Sequence, residues 1–249
     1  MVHISLRAEE VFRLGNFPVT NTLLLSTTAL LILLAAALLF RKKLVLAPGG
    51  FQNVIEYAVE SLLKLMDSVF GERSKSERYL PVVATTFVFI LFANWLGLMP
   101  GIGSVGLRPH SPVGGEFIPL FRSPASDLNF TLALALITVF AVNLLGVLAI
   151  GVRPHLSKFF NFESPIGFFI GILELLSEFA KIVSFSFRLF GNVFAGEVLL
   201  TIVAFLVPYV IPLPFLFLEL FVGFIQAFIF SMLTLVFIAV AVAEHGEAH

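Results

Sequence analysis

The stretch SFSFRLFGNVFAGE, residues 184–197, sets an arginine, an asparagine and a glutamate inside a long apolar tract. An arginine at the centre of a membrane helix costs about 2.5–3.5 kcal/mol on insertion scales, so Arg188 needs either a partner or a task. A buried ion pair with a glutamate is the plainest account, yet such a pair gains little over an apolar pair once both charges are desolvated. The other account is that Arg188 serves something that brings its own negative charge. Its guanidinium stays protonated at physiological pH and cannot relay a proton. It can make an approaching carboxylic acid release one, and it bars protons from leaking straight past.

At about 100° per residue, Ser177, Lys181, Ser184, Arg188, Asn192 and Ala195 share one slowly drifting stripe. Glu174 and Glu178 lie towards one end of the tract, and Glu197 lies about 13.5 Å beyond Arg188 towards the other. On a returning antiparallel helix, Glu219 falls near the Glu197 end. Two carboxyls close together in low dielectric do not both ionise, so a Glu197/Glu219 pair could hold a proton and pass it inward. That predicts one polar route on the Glu197 side of Arg188 and a separate one on the Glu174 and Glu178 side. Gln226 lies two turns from Glu219 on the same face, at a depth where its amide could orient the guanidinium without neutralising it. For each of these glutamates and for Gln226 the alternative is helix–helix hydrogen bonding without transport.

The elements that must carry these residues are membrane helices. The chain has 249 residues, 59% hydrophobic and only 12% charged, with a mean hydropathy of +1.03, far more apolar than a soluble domain. The reading is an all-α membrane protein in a single membrane domain, with about five membrane-embedded helices and one interfacial amphipathic helix. Residues 1–18 form an external N-terminus and 19–40 a first span, followed by the basic cluster Arg41, Lys42 and Lys43 on the cytoplasmic side. Residues 50–71 place Ile55, Val59, Leu62, Met66 and Val69 on one stripe and Glu56, Glu60 and Lys64 on another, as an interfacial helix does. Glu60 and Lys64 have the spacing of a weak surface pair.

A second span, 79–99, stops at the Pro-Gly turn of MPGIG, and residues 100–127, rich in Gly, Pro and Ser, form an external loop. A third span, 128–152, is capped by Asp127 and Asn129. Residues 166–207 run about 42 residues without proline, roughly 63 Å if helical and twice a hydrocarbon core of about 30 Å. That tract either folds back or crosses steeply tilted. Gly191 and Gly196 suggest close helix packing rather than a hairpin, so 166–207 and 214–243 read as two long, steeply tilted, antiparallel helices. Residues 244–249 are a cytoplasmic tail.

The same residues carry a resemblance. SFSFRLFGNVFAGE, followed about thirty residues later by QAFIFSMLTLVFIAVAVAEH, resembles subunit a of the bacterial F-type ATP synthases, and FQNVIEYAVE, NWLGLMPG and SDLNFTLALAL extend the likeness over nearly the whole chain. The resemblance implies a non-catalytic, proton-conducting stator with two offset half-channels, and Arg188 as the essential charge facing a carboxylate on a rotating ring of c subunits. It implies that Asn192, Glu197, Glu219 and Gln226 line the outer half-channel or flank the arginine, and that Glu174 lies on the cytoplasmic access path. Ser184 and Glu178 join that set of path residues. It implies as partners the c ring, b-type peripheral stalk subunits, the lipid bilayer, and protons, with sodium the alternative ion. It places the chain in the bacterial inner membrane with its N-terminus outside and C-terminus cytoplasmic. The sequence departs from some relatives at Gly97, where they carry an acid, and at Glu197 and Glu219, where they carry a histidine at one of the two positions.

Other classes fit less well. The near-zero net charge argues against nucleic acid. With no cysteine, thiolate metal sites and disulfides are excluded. The five histidines fall in termini and expected loops, which argues against an intramembrane haem or zinc site; no cofactor or metal is expected. No GxxxxGK[ST] loop is present, so this chain should bind no nucleotide. A self-contained proton or sodium transporter or channel is the main alternative, but such proteins commonly show internal repeats and broken helices, and neither is evident here. A scaffold would not need charges at depth, and a hydrolase lacks a histidine placed to activate a buried serine.

Overall fold

The computed structural model describes residues 8–42, 45, 49–107, 117–159, 164–208 and 210–243. The expected cytoplasmic tail 244–249, Lys43 of the basic cluster and residues 108–116 of the expected external loop lie outside the described residues. A hairpin of β1 (Glu10–Leu14) and β2 (Phe17–Thr20) leads into α1 (Asn21–Arg41); then follow α2 (Gly50–Phe70), α3 (Arg73–Gly97), a two-residue strand pair β3 (Gly106–Leu107) and β4 (Ile118–Pro119), α4 (Leu128–Ile150), α5 (Val152–Ser157), α6 (Pro165–Leu206) and α7 (Pro212–Ala243). Among the described residues, α1, α3, α4, α6 and α7 are long and apolar enough to cross a membrane.

Burial in these helices is the reverse of a soluble bundle. In α1 the residues turned inward are Asn21, Thr22, Leu25, Ser26 and Ala29, while Leu30, Leu31, Leu34, Leu38 and Leu39 stand exposed. In α4 the inward seam is Thr131, Ala135, Thr138, Val139, Val142 and Gly146 at spacings of one turn. Small and weakly polar side chains let membrane helices approach closely, whereas leucine gains as much from lipid as from protein. Across that seam the hydroxyls of Thr131 and Ser186 are 3.1 Å apart, joining α4 to α6. The α3–α7 contact is as close: the Trp95 indole donates to the Leu220 carbonyl at 3.0 Å, and a Cβ on Gly223 would lie 3.3 Å from that of Asn94.

Helix ends follow local rules. Asp127 caps α4, accepting from Asn129 N at 3.0 Å and from its side chain at 3.1 Å, and its other oxygen accepts from Thr22 of α1 at 3.0 Å. Ser164 caps α6 through Gly167 N at 2.9 Å, with Pro165 as the first helical residue, a position that needs no N–H donor. No proline follows inside α6, and the helix is unbroken over 42 residues, about 63 Å. The alternative of a fold-back is thereby removed.

The helix that carries the second span opens at Arg73, ahead of the span expected from residue 79, because nothing between those residues stops a helix, and its basic residues ride on the first turns. One expectation needs correction. Glu60 pairs not with Lys64 but with Arg73, whose guanidinium donates to Glu60 at 2.6 Å, Asp67 at 3.0 Å and Glu77 at 3.1 Å. The turn at Gly71, with φ of 69°, is what brings the end of α2 back onto α3.

Arg73 holds the Glu60 carboxyl below the usual carboxylate range. The contribution of a depressed carboxylate is complete above its unfolded value of about 4.3 and is lost as pH falls through the lower folded value. Docking of α2 on α3 is therefore expected to be flat with pH through neutrality and to loosen only in acid below about pH 4. Protection of α2 amides against exchange across a pH series checks this; Arg73→Gln should loosen α2 at neutral pH and flatten the acid step.

Candidate functional site

α6 carries the arginine on a helix with two distinct sides. Phe185, Leu189, Val193 and Gly196 are buried against α4 and α7, while Ser184, Gly191, Asn192 and Ala195 are exposed and Arg188 is half-buried at the margin. The guanidinium donates through Nη2 to Ser184 Oγ at 3.1 Å, one turn back, and the Asn192 amide donates to the Arg188 carbonyl at 2.9 Å. Among the described residues no carboxylate forms an ion pair with Arg188. The simplest account of a buried arginine, a glutamate partner within the chain, is absent from these residues.

α7 lies antiparallel against the inner side of α6. Phe185 packs on Phe230 in a tilted pair with ring centroids 4.5 Å apart and meets Phe237 edge-on at 5.6 Å, and the Lys181 ammonium sits 4.8 Å from the Phe237 ring centroid. Further along, a Cβ built on Gly196 would overlap the Glu219 carboxyl group. Constant register between these contacts puts Gln226, 8% exposed, level with Arg188 and Leu189. No hydrogen bond joins Gln226 to Arg188; Ser184 holds the guanidinium instead.

Glu219, also buried, thus packs over the residue that precedes Glu197, so the two glutamates sit at one end of the helix pair. Glu197 has a partner that the sequence reading did not supply. Arg122 Nε donates to Glu197 Oε1 at 2.8 Å, with the arginine side chain only 9% exposed. The second carboxylate oxygen of Glu197 is buried without a hydrogen bond. A cavity of about 580 Å³ opens at this end, lined by Arg122, Glu197, Thr201, Phe121, Val193 and Glu9. The lining residue of α6 nearest to Arg188, Val193, is about 7.5 Å from it along the helix axis. Beside it the loop after α3 lies on Gly97: a Cβ there would stand 2.8 Å from that of Ser123, leaving no room for an acid.

At the other end of α6, Glu178 accepts from Lys181 Nζ at 2.7 Å and from Asn143 Nδ2 at 3.1 Å, and Asn143 Oδ1 lies 3.0 Å from His155 Nε2. Glu178 is therefore held in a network spanning α4, α5 and α6, whereas Glu174, one turn away and half-exposed, makes no described hydrogen bond. His155 departs from the expected loop placement. Gly151, with φ of 93°, turns α5 back onto α4, and the ring, 2% exposed, lies where a side chain on Gly146 would be. Among the described residues no three His, Cys, Asp or Glu side chains come together in a metal-like group.

Gly191 and Gly196 play different parts. Nothing lies within 4 Å of a Cβ built on Gly191, whereas Gly196 makes the space that Glu219 fills. Gly196→Ala should keep α6 helical, alanine being the better helix former, and displace the flexible end of Glu219. A structure of Gly196→Ala is expected to show the Glu219 carboxyl moved away from α6 with the helix backbone unchanged; an unmoved carboxyl would show that its neighbours give way instead.

The fold and these ionisable groups define an all-α, multi-pass membrane protein whose intramembrane charges are gathered on a long antiparallel helix pair. Residues 22–239 match the family described as ATP synthase A chain. The chain is 34% identical over 98% of its length to the whole of a Moorella thermoacetica protein named ATP synthase subunit a. It is 37% identical to one of that name from Gloeobacter violaceus, over 84% of this chain and 78% of the relative, and 36% identical to one from Nitratiruptor sp., over 83% of each. The chain belongs to the family of F-type ATP synthase a subunits.

Proposed function

We propose that this chain is the stator that admits protons to, and collects them from, a ring of c subunits through two offset half-channels separated by Arg188. The observation that carries the reading is the half-buried guanidinium facing outward beside Ser184 and Asn192, with no carboxylate partner among the described residues. A charge left uncompensated within one chain is compensated by a group on another, and an intramembrane arginine can offer its positive charge only to a carboxylate that moves to it.

The cavity reaching Glu197 is the outer half-channel, with Glu219 and Asn192 continuing it towards the ring. The region of Glu174 and Glu178 is the cytoplasmic one. Gln226, level with Arg188, orients the guanidinium when the ring carboxylate draws it from Ser184. Because Arg188 lies between the two routes, a proton crosses only by riding on the ring, and about 2.3 kcal/mol per charge per 100 mV of membrane potential becomes available for rotation. A helix of about 63 Å accommodated in about 30 Å of hydrocarbon must incline strongly, which lays α6 and α7 along the flank of a ring.

The arrangement has the N-terminus outside and the C-terminus in the cytoplasm of a bacterial inner membrane, with b-type stalk subunits holding the chain fixed. Protons are the ion, with sodium the alternative. The test is reconstitution. The purified chain alone in liposomes should conduct no ions under an imposed potential, while the complete complex, purified with a ring of two-helix subunits each bearing one buried carboxylate, should pump protons on ATP hydrolysis. Sustained conduction by the chain alone would establish a self-contained channel instead.

A further inference from the structure

One carboxylate on the cavity wall has no part in the arrangement above. Glu9 lies just ahead of β1 and is fixed from both sides by Asn21 at the start of α1: its N–H donates to Asn21 Oδ1 at 3.3 Å, and its carbonyl accepts from Asn21 N at 3.0 Å. The backbone is thus held by groups other than the side chain. Glu9 lines the same cavity as Arg122 and Glu197, and its Oε2 is buried without a hydrogen-bond partner. A buried carboxylate oxygen left without a donor is costly, so beside a polar cavity it calls for water or a proton.

We propose that Glu9 is the outermost proton-accepting residue of the cavity, taking protons from the external solution and handing them through cavity water to Glu197. The proposal rests on the reading that this cavity delivers protons to Glu197. A volume of about 580 Å³ has space for roughly 20 water molecules, ample for a hydrogen-bonded chain between the two carboxylates. Among the described residues the ionisable groups on the cavity wall are Glu9, Arg122 and Glu197. Neighbouring charges are engaged elsewhere: Arg13 pairs with Glu10 on β1, and Asp127 accepts from Thr22 and Asn129. Arg122 draws the Glu197 carboxylate to itself, so a proton reaching Glu197 has to displace that contact. A second carboxylate nearer the solution keeps protons at hand in the cavity for that exchange, and its benefit is largest when external protons are scarce.

The test uses the complete complex in proteoliposomes, with ATP synthesis driven at a fixed total driving force while the pH on the Glu9 side is varied. Glu9→Gln is expected to slow synthesis several-fold at about pH 8 and to approach the parent at about pH 6, with Glu9→Asp close to the parent throughout. Because the chain has no cysteine, Glu9→Cys also permits chemical restoration. Iodoacetate, which installs a carboxylate, should recover the alkaline rate, and iodoacetamide, of the same size but neutral, should not. A flat pH profile for Glu9→Gln, or equal recovery by the two reagents, would overturn the proposal. Glu197→Gln in the same assay separates the levels: if it is slow while Glu9→Gln matches the parent, only the role of Glu9 falls; if it too matches the parent, the uptake path itself lies elsewhere.

Discussion

Membranes carrying Arg188→Lys are expected to retain the assembled complex and to lose proton-driven ATP synthesis by roughly two orders of magnitude or more. The loss follows from what the side chain does at that place. Arginine stays charged when desolvated and offers its donors in a planar fork; lysine offers a point charge and can deprotonate in a dry site. Ser184 can hold one guanidinium nitrogen while the rest of the fork faces outward, an arrangement that lysine cannot reproduce. Folding should be little affected, because the residues that bury this stretch are Phe185, Leu189 and Val193 on the other side of the helix. The check is ATP synthesis and passive proton flux in the same membranes, with subunit stoichiometry as the control for assembly. Near-parent synthesis would refute the role assigned to Arg188.

The second large effect concerns Glu197 and Glu219. Each of Glu197→Gln and Glu219→Gln is expected to slow ATP-driven proton pumping by roughly 10²-fold, the usual worth of a positioned proton-transfer group. The double variant should fall little below the worse single one, because groups serving one path in series do not lose independently. The packing of Glu219 on Gly196, next to Glu197, is the structural reason to expect this coupling. Glu219→His should outperform Glu219→Leu, since an imidazole with a pKa of about 6.5 still relays protons. Inverted vesicles assayed across a pH series decide the matter. Losses that multiply, or equal activity of the His and Leu variants, would make the two glutamates structural.

Much of this was legible in the chain because it depends on local composition. Apolar runs of membrane length marked the five long helices, Asp127 and its neighbour marked the start of α4, and the lack of proline after Pro165 marked α6 as continuous. The intramembrane arginine and glutamates stood out for the same reason: a charge in an apolar run is conspicuous. What was not legible depends on pairs far apart in sequence. Arg122 belongs to a Gly- and Pro-rich loop and meets Glu197 only because that loop folds down onto Gly97. Arg73 reaches Glu60 across the turn at Gly71. His155, in a segment with the composition of a loop, is buried because α5 doubles back into the space left by Gly146. Glu9 lies before the first membrane helix, where a hairpin whose strands are too short to show a periodic pattern sets its place.

The packing of the Phe185 ring against Phe230 and Phe237 bears on mechanics as well as on burial. On the function proposed above, a ring turning past Arg188 would push sideways on α6 at each step, and a lone helix of that length would flex like a thin rod. Backed by aromatic rings from α7 beginning about one turn from Arg188, and tied to α4 through Thr131 and Ser186, the rod becomes part of a braced beam. Its recoil under such a load would be small, and little of each step would be lost to bending the part that is meant to stand still.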